Sequence, residues 1–367
     1  MRARQLGITS GLGTPGEFNA ITDVPGVRVG HSTIKAEING KQVRTGVSVI
    51  QPRPDDARQQ PCFAGYHVLN GNGDATGLEW ISEAGLLTTP LAITNTHSVG
   101  IVRDTLIALE REKLMDSAVY WCMPVVMETY DGLLNDIWGQ HVGPQHVREA
   151  LDAATPGPVA EGAVGGGTGM ICHEFKGGIG TASRRLPAEH GGWTVGVLVQ
   201  ANHGKRQELR VDGYPVGRFL LEIPSPFDDQ GTPGMGSIVV IIATDAPLLP
   251  HQCKRLAQRA SIGIARTGGG TEDSSGDIFL AFSTGNRDLP PADYGRKNLP
   301  FTTPLNMVNN DHISHLFSAA AEAVEEAIIN VLVAGEDMYT ERGVLVPALH
   351  QQTLLDALKQ SGWNPSC

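Results

Sequence analysis

A small hydroxyl nucleophile at a loop–strand seam is the feature of this sequence most able to do chemistry. In "GTPGMGSIVVIIATDAP" (Gly231–Pro247) a turn-rich stretch ends at Gly236, and a dense Ile/Val run starts at Ser237. Serine is tolerated at the start of any strand, so the seam alone also fits an ordinary strand beginning. The sharper reading is self-cleavage. Ser237 Oγ attacks the carbonyl carbon of Gly236, the peptide rearranges to an ester, and water breaks the ester. Gly236 offers an unhindered carbonyl and tolerates unusual backbone angles. The new chain would begin with Ser237, its hydroxyl beside its own α-amine. Such an amine titrates near ~7.7–8.0 and can act as a base close to neutral pH. No His and no strained GxSxG elbow is needed, and the sequence contains no GxSxG.

The elements that must hold such a group are those of a layered α/β chain. Strand-like apolar runs occur at 26–34, 46–50, 62–69, 90–94, 118–127, 193–201, 217–223, 237–244 and 277–283. Most are continuous and not alternating, which predicts strands covered on both faces. Helical spacing is read at 96–114, 251–266, about 311–334 and 347–360. Asp311 is the expected N-cap of the third, Gly335 its stop, and Gly362 the stop of the last. The conspicuous loop is "PSPFDDQGTPGMG" (224–236), immediately before the seam. Helices and strands intermix throughout, as in a sandwich with helices outside.

Other chemistries are set aside on composition and motif context. The net charge of −11 argues against nucleic acid or an anionic membrane as partner. No apolar run is long enough to span a bilayer. The N-terminus carries Arg2 and Arg4 but no apolar stretch after them, so a cytoplasmic protein is expected. The five cysteines, Cys62, Cys122, Cys172, Cys253 and Cys367, are widely spaced and read as reduced. No metal and no cofactor is expected. The histidines are scattered, and His312 and His315 read as a surface helix pair. "GLGTPG" (11–16) lacks a preceding strand, "GNGDATG" (71–77) has its last glycine out of place, and "GGGTGM" (165–170) lacks the lysine of a phosphate loop.

Four blocks bear a resemblance that reaches over nearly the whole chain: "NGNGDATGLEWISEAGLLTTPLAITNTHSVG" (70–100), "PVVMETYDGLLND" (124–136), "GGGTGMICHEFKGGIGTASR" (165–184) and "GMGSIVVIIATDAPLLPHQ" (234–252). They resemble the self-processing β-aminopeptidases, the group that includes the L-aminopeptidase/D-amidase-esterases. The resemblance implies a four-layer αββα sandwich akin to the N-terminal-nucleophile hydrolases. It also implies two segments, 1–236 and 237–367, forming one composite catalytic domain, and a tetramer of such cleaved heterodimers. By the same resemblance Gly236–Ser237 is the scissile bond and Ser237 the nucleophile. Ser275 is a second serine near it, Asp277 stands where the family carries an acid, often glutamate, and Asn202 binds the oxyanion. Glu128 holds the substrate's ammonium, and Tyr130 supplies a neighbouring hydroxyl. Short peptides, amides or esters with small N-terminal residues, β-alanyl included, are the implied substrates. The Gly-rich segments 71–77 and 165–169 are expected to wall a small pocket. An acyltransferase of the same chemistry and a binding protein that has lost it are the alternatives.

Overall fold

Residues 238–243 are apolar throughout because each face of that strand meets a different core. Val239, Ile241 and Ala243 pack into one cluster, and Ile238, Val240 and Ile242 into another. The period of 2 that separates strand faces therefore leaves no position for a polar residue.

The computed structural model describes residues 1–54, 56–113, 121–228, 236–290 and 300–364. In chain order its strands are β1 (Arg28–Ile38), β2 (Lys41–Gln51), β3 (Cys62–Gly71), β4 (Leu86–Leu87), β5 (Leu91–Asn95), β6 (Val125–Thr129), β7 (Ile171–Cys172), β8 (Phe175–Lys176), β9 (Gly178–Arg185), β10 (Thr194–Asn202), β11 (Ser237–Thr244), β12 (Gly276–Ser283), β13 (Met338–Tyr339) and β14 (Leu345–Val346). The helices are α1 (Leu78–Ala84), α2 (Val99–Lys113), α3 (Pro144–Asp152), α4 (Pro250–Ala257), α5 (Ala260–Thr267), α6 (Ser314–Val333) and α7 (Gln351–Gln360). One sheet runs β1-β2-β5-β6 and the other β4-β3-β12-β11-β10-β9.

Three apolar layers join these elements into the expected α/β, four-layer αββα sandwich. Val47, Val49, Ala92 and Val126 face Val102, Leu106 and Val147 of α2 and α3. Ile50, Leu91, Ile93 and Met127 meet Leu198, Val239, Ile241 and Leu280 between the sheets. On the far side Val197, Ile238, Val240 and Phe279 pack under Leu256, Ile264, Val324 and Ile328 of α4, α5 and α6. Each such side chain contributes about 1.5–3 kcal/mol by leaving water. Gly180 lets α6 lie close on β9, since a Cβ there would stand 2.1 Å from Ala327 O.

Strand polarity gathers the seam. β11 and β12 are parallel, with Ser237 opposite Gly276. β10 runs antiparallel, so its last residue, Asn202, lies opposite Ser237.

Several expectations need correction. Residues 217–223 form no strand. Val216–Phe219 is a 3-10 turn in which Val216 and Leu220, four apart, are buried while Phe219 and Leu221 are exposed. Flanking Pro215 and Pro224 and that spacing explain the misreading. The helix read over 251–266 is two helices. Around Arg259 the bonds tighten to i→i−3 (Arg259 N to Leu256 O, Ile262 N to Arg259 O), and α5 turns so that Gly263 fits against Val324. Asp311 is not the N-cap: Asn309 Oδ1 accepts from Asp311 N, and a 3-10 turn precedes α6. His312 ends that turn, whereas His315 stacks on His190 with centroids 3.7 Å apart, so they are not a pair. Of the strand read over 118–127, β6 takes the end, and 118–120 lie outside the described residues. So do Cys367 and residues 229–235 of the loop before the seam. Among the described residues no helix is long and apolar enough to cross a membrane.

Candidate active site

Ser237 is buried, and its Oγ donates to Gly236 O at 2.7 Å. The backbone N–H of Gly276 lies 3.3 Å from that same carbonyl oxygen and 3.4 Å from Ser237 Oγ. The hydroxyl is thus held against the peptide bond it would attack, with a donor already on the oxygen that would gain charge. Space at Gly236 is scarce. The glycine's value is room: a Cβ there would meet His203 Cα at 3.2 Å. Gly276 serves the same end, since a Cβ there would stand 2.7 Å from Asn72 O and 2.9 Å from Gly73 Cα.

Asn202 shares the inter-sheet face of β10 with Leu198 and Gln200. Its Oδ1 accepts from Ile171 N at 2.7 Å, and its Nδ2 donates to Tyr130 O at 2.9 Å. One N–H of the amide remains for a substrate oxygen. Tyr130 follows β6, and burial together with the charge of Asp131 raises its phenol. Asp131, not singled out from the sequence, is pushed up to about 6 by burial. It receives bonds from Asn95 Nδ2 and Asn135 Nδ2 at 3.1 and 3.0 Å and so fastens the β6 end.

Glu128 is buried near the end of β6. Oε1 accepts from Asp74 N at 2.9 Å, and Oε2 accepts a short bond from the Thr96 hydroxyl. Burial raises its carboxyl above the ordinary value, opposed by those two bonds. Gly73 links it to the seam, because a Cβ on Gly73 would stand 3.0 Å from Glu128 Oε1 and 3.3 Å from Gly276 Cα.

Ser275 and Asp277 meet each other: Ser275 Oγ donates to Asp277 Oδ1 at 2.5 Å. The shorter side chain of aspartate reaches its partner. Burial raises Asp277, while the Ser275 hydroxyl and the Ile238 amide favour its charged form. Its second oxygen is buried without a partner. The hydroxyl of Ser275 is turned to Asp277 and that of Ser237 to Gly236, so the two serines are not hydrogen-bonded to each other.

A cavity of about 860 Å³ opens on the Asn202 side, lined by Tyr130, Gly169, Asn202, His203, Phe227 and Gly236, with the β13–β14 turn at its rim. It is roomier than the small pocket expected from the sequence. Gly169 is part of its wall, whereas Gly73 stands on the opposite, Glu128 side. Beside the cavity the fold also assembles Cys172, His173 and His203, which lie too far apart along the chain to be read together. Burial pulls His173 down to about 4 and His203 well below its usual value.

A four-layer αββα sandwich with a serine heading a central strand is the architecture of the N-terminal-nucleophile hydrolases. The chain belongs to peptidase family S58, whose family model matches residues 19–346. It is 46% identical to the β-peptidyl aminopeptidase BapA of Sphingosinicella microcystinivorans, over 98% of this chain and 92% of that protein. The solved β-aminopeptidase of a Burkholderia species superposes with a TM-score of 0.95 at 71% identity, each chain covered in full (100% of both). The solved L-aminopeptidase D-Ala-esterase/amidase of Ochrobactrum anthropi, described as a new variant of the Ntn hydrolase fold, gives 0.89 at 43% identity, over 98% of this chain and 99% of the other. The resemblance read from the four sequence blocks is borne out. The acyltransferase alternative finds no support among these relatives.

Proposed function

We propose that this S58 peptidase is a serine aminopeptidase activated by its own cleavage at Gly236–Ser237, and that it releases small N-terminal residues, β-amino acids among them, from short peptides, amides and esters. The observation that carries this reading is the Ser237 hydroxyl 2.7 Å from the Gly236 carbonyl oxygen, with the Gly276 amide on that oxygen. The names of the Sphingosinicella and Burkholderia relatives support the substrate class.

In activation, Ser237 Oγ bonds to the Gly236 carbonyl carbon, and as the C–N bond breaks the Ser237 nitrogen takes up the hydroxyl proton and becomes the free α-amine. Water then hydrolyses the ester, leaving Gly236 as a carboxylate. In turnover, the freed α-amine of Ser237 accepts the Oγ proton as Oγ attacks the substrate carbonyl. Asn202 Nδ2 donates to the oxyanion, with Tyr130 beside it, and Glu128 holds the substrate's ammonium. The departing amine takes the proton back, and water releases the acyl group from Ser237. The Ser275–Asp277 pair supports the strand start next to the nucleophile. The two products, 1–236 and 237–367, would remain one body, because β11 and β12 lie between β3 and β10 in a single sheet. We further infer a tetramer of cleaved heterodimers, read by light scattering, and a cytoplasmic location. The latter is supported by the free, buried thiols of Cys62, Cys172 and Cys253.

Denaturing electrophoresis of the purified protein tests the reading. Wild-type chain should give two fragments. Ser237→Ala should give one band, with kcat lower by roughly 10⁴-fold or more. An intact, active wild-type chain would sink the proposal.

A further inference from the structure

The chemistry above leaves unused a buried cluster just beneath Asn202. Cys172, His173 and His203 are 0%, 0% and 4% exposed, and one ligand atom from each lies within 4.8 Å of the others. Cys172 Sγ is 3.9 Å from His203 Nδ1. Bonds of ~2.3 Å to sulfur and ~2.0–2.1 Å to nitrogen at tetrahedral zinc would set such a pair about 3.6 Å apart, so a few tenths of an ångström of closure suffices.

The surroundings select a tautomer. His173 Nδ1 lies 3.0 Å from Lys205 O. A carbonyl can only accept, so Nδ1 carries the proton and Nε2 presents a lone pair. That nitrogen is buried with no hydrogen-bond partner. A backbone carbonyl that fixes one ring nitrogen and leaves the other free is the usual outer partner of a metal-bound histidine. His203 would ligate through Nδ1, the nitrogen that faces Cys172 Sγ.

We propose that Cys172, His173 and His203 form a binding site for a zinc-class cation. One thiolate with two imidazoles suits Zn²⁺ and disfavours Mg²⁺ or Ca²⁺. As the Sγ–metal bond forms, the thiol proton passes to solvent. His203 and Gly204 line the large cavity, which gives the cation a route in and leaves its fourth position to a small ligand from that side. The site ties β7 to the end of β10. Those two elements already exchange Ile171 N with Asn202 Oδ1 at 2.7 Å and His173 N with His203 O at 2.7 Å. A bound cation would lock the support of Asn202 from the far side of the sheet. The inference does not depend on the peptidase reading.

Cobalt titration of the full chain, stripped with a chelator and followed by absorption, tests it. Wild-type protein should show a thiolate-to-Co²⁺ charge-transfer band with tetrahedral d–d bands, saturating at a single equivalent and bleached by Zn²⁺. Zn²⁺ should also raise Tm. Cys172→Ser should lose the charge-transfer band, and His173→Gln should weaken binding by more than the roughly 10–100-fold cost of losing an outer partner. Absence of the band in wild-type protein overturns the proposal whether or not the variants fold. An unchanged band in folded Cys172→Ser also overturns it, placing the cation on another thiol.

Discussion

The two flanks of Ser237 are built differently. Toward β10 lies an open cavity of about 860 Å³, with Asn202 and Tyr130 on its wall and charged residues at its rim. The rim pairs Lys41–Glu341 and Lys205–Glu272, each at 2.7 Å, are solvent-exposed in part and hold little energy. Toward β12 and β3 the space is tight, bounded by Gly73, Gly276 and the buried carboxylate of Glu128. A cramped, desolvated carboxylate recognises a small ammonium-bearing group, since a charge-assisted bond counts most where water is excluded. An open polar cavity tolerates a leaving group of varied size. On the proposed function, selectivity would therefore reside on the Glu128 flank and permissiveness on the Asn202 flank.

Substitutions can break that comparison. The largest effect on the open flank should come from Asn202→Ala, which on the proposed function removes an oxyanion donor. A fall in kcat of about 10²–10³-fold, some 2.7–4 kcal/mol, is expected, with KM little changed. A fall confined to KM would move the oxyanion role elsewhere. On the tight flank Glu128→Gln keeps the shape and the bond from Asp74 N to Oε1, turns the Thr96 contact round so that Nε2 donates to the hydroxyl, and loses the charge. kcat/KM for free-amine substrates should drop about 10–100-fold, mostly through KM. N-acetylated peptides should stay uncut by both proteins, and efficient cleavage of them by wild-type would remove the ammonium-binding role.

A pH profile sharpens the same contrast. Burial raises Glu128, and on the proposed function its ionised form is the one that binds the ammonium. The acid limb of kcat/KM should therefore lie above the ordinary glutamate range of about 4.3 and disappear in Glu128→Gln. Stability runs the opposite way. With folded values above unfolded ones, Glu128 and Asp277 contribute stability that is fully present below the unfolded values and lost as pH rises through the folded ones. Thermal melts of Glu128→Gln and wild-type across that window should converge on the acid side. The smallest effect is expected from Gly276→Ala. Its methyl would press on Asn72 O and Gly73 Cα, costing about 1–3 kcal/mol in denaturant melts. A neutral result would show that the two strand starts have slack.

Much of the frame was legible in the chain because buried strands leave dense apolar runs. β11 and β12 begin within a residue of the expected positions. β9 was invisible for the converse reason: "GIGTASRR" is small and polar in composition, and is buried because α6 lies on it. The β1–β2 hairpin did carry a local signal, Asn39–Gly40 with φ of 51° and 75°, the pair a type I′ turn requires. The break at Arg259 carried none, since both halves have helical spacing and the turn is set by α6. In the site, Gly236–Ser237 stands out because a glycine and a hydroxyl adjoin a strand start. Asp131 and the Cys172–His173–His203 cluster do not, because their partners are remote in sequence.

The order of residues alone determined that a hydroxyl would head a doubly buried strand, since hydrophobic runs and turn residues act locally. Tertiary structure decided what stands around that hydroxyl. Ser237 meets Asn202 on one side and Gly276 on the other through strand pairing between distant segments, and Glu128 reaches the same place from the other sheet. Such meetings depend on register and on which faces lose water together, and neither is encoded at any one position.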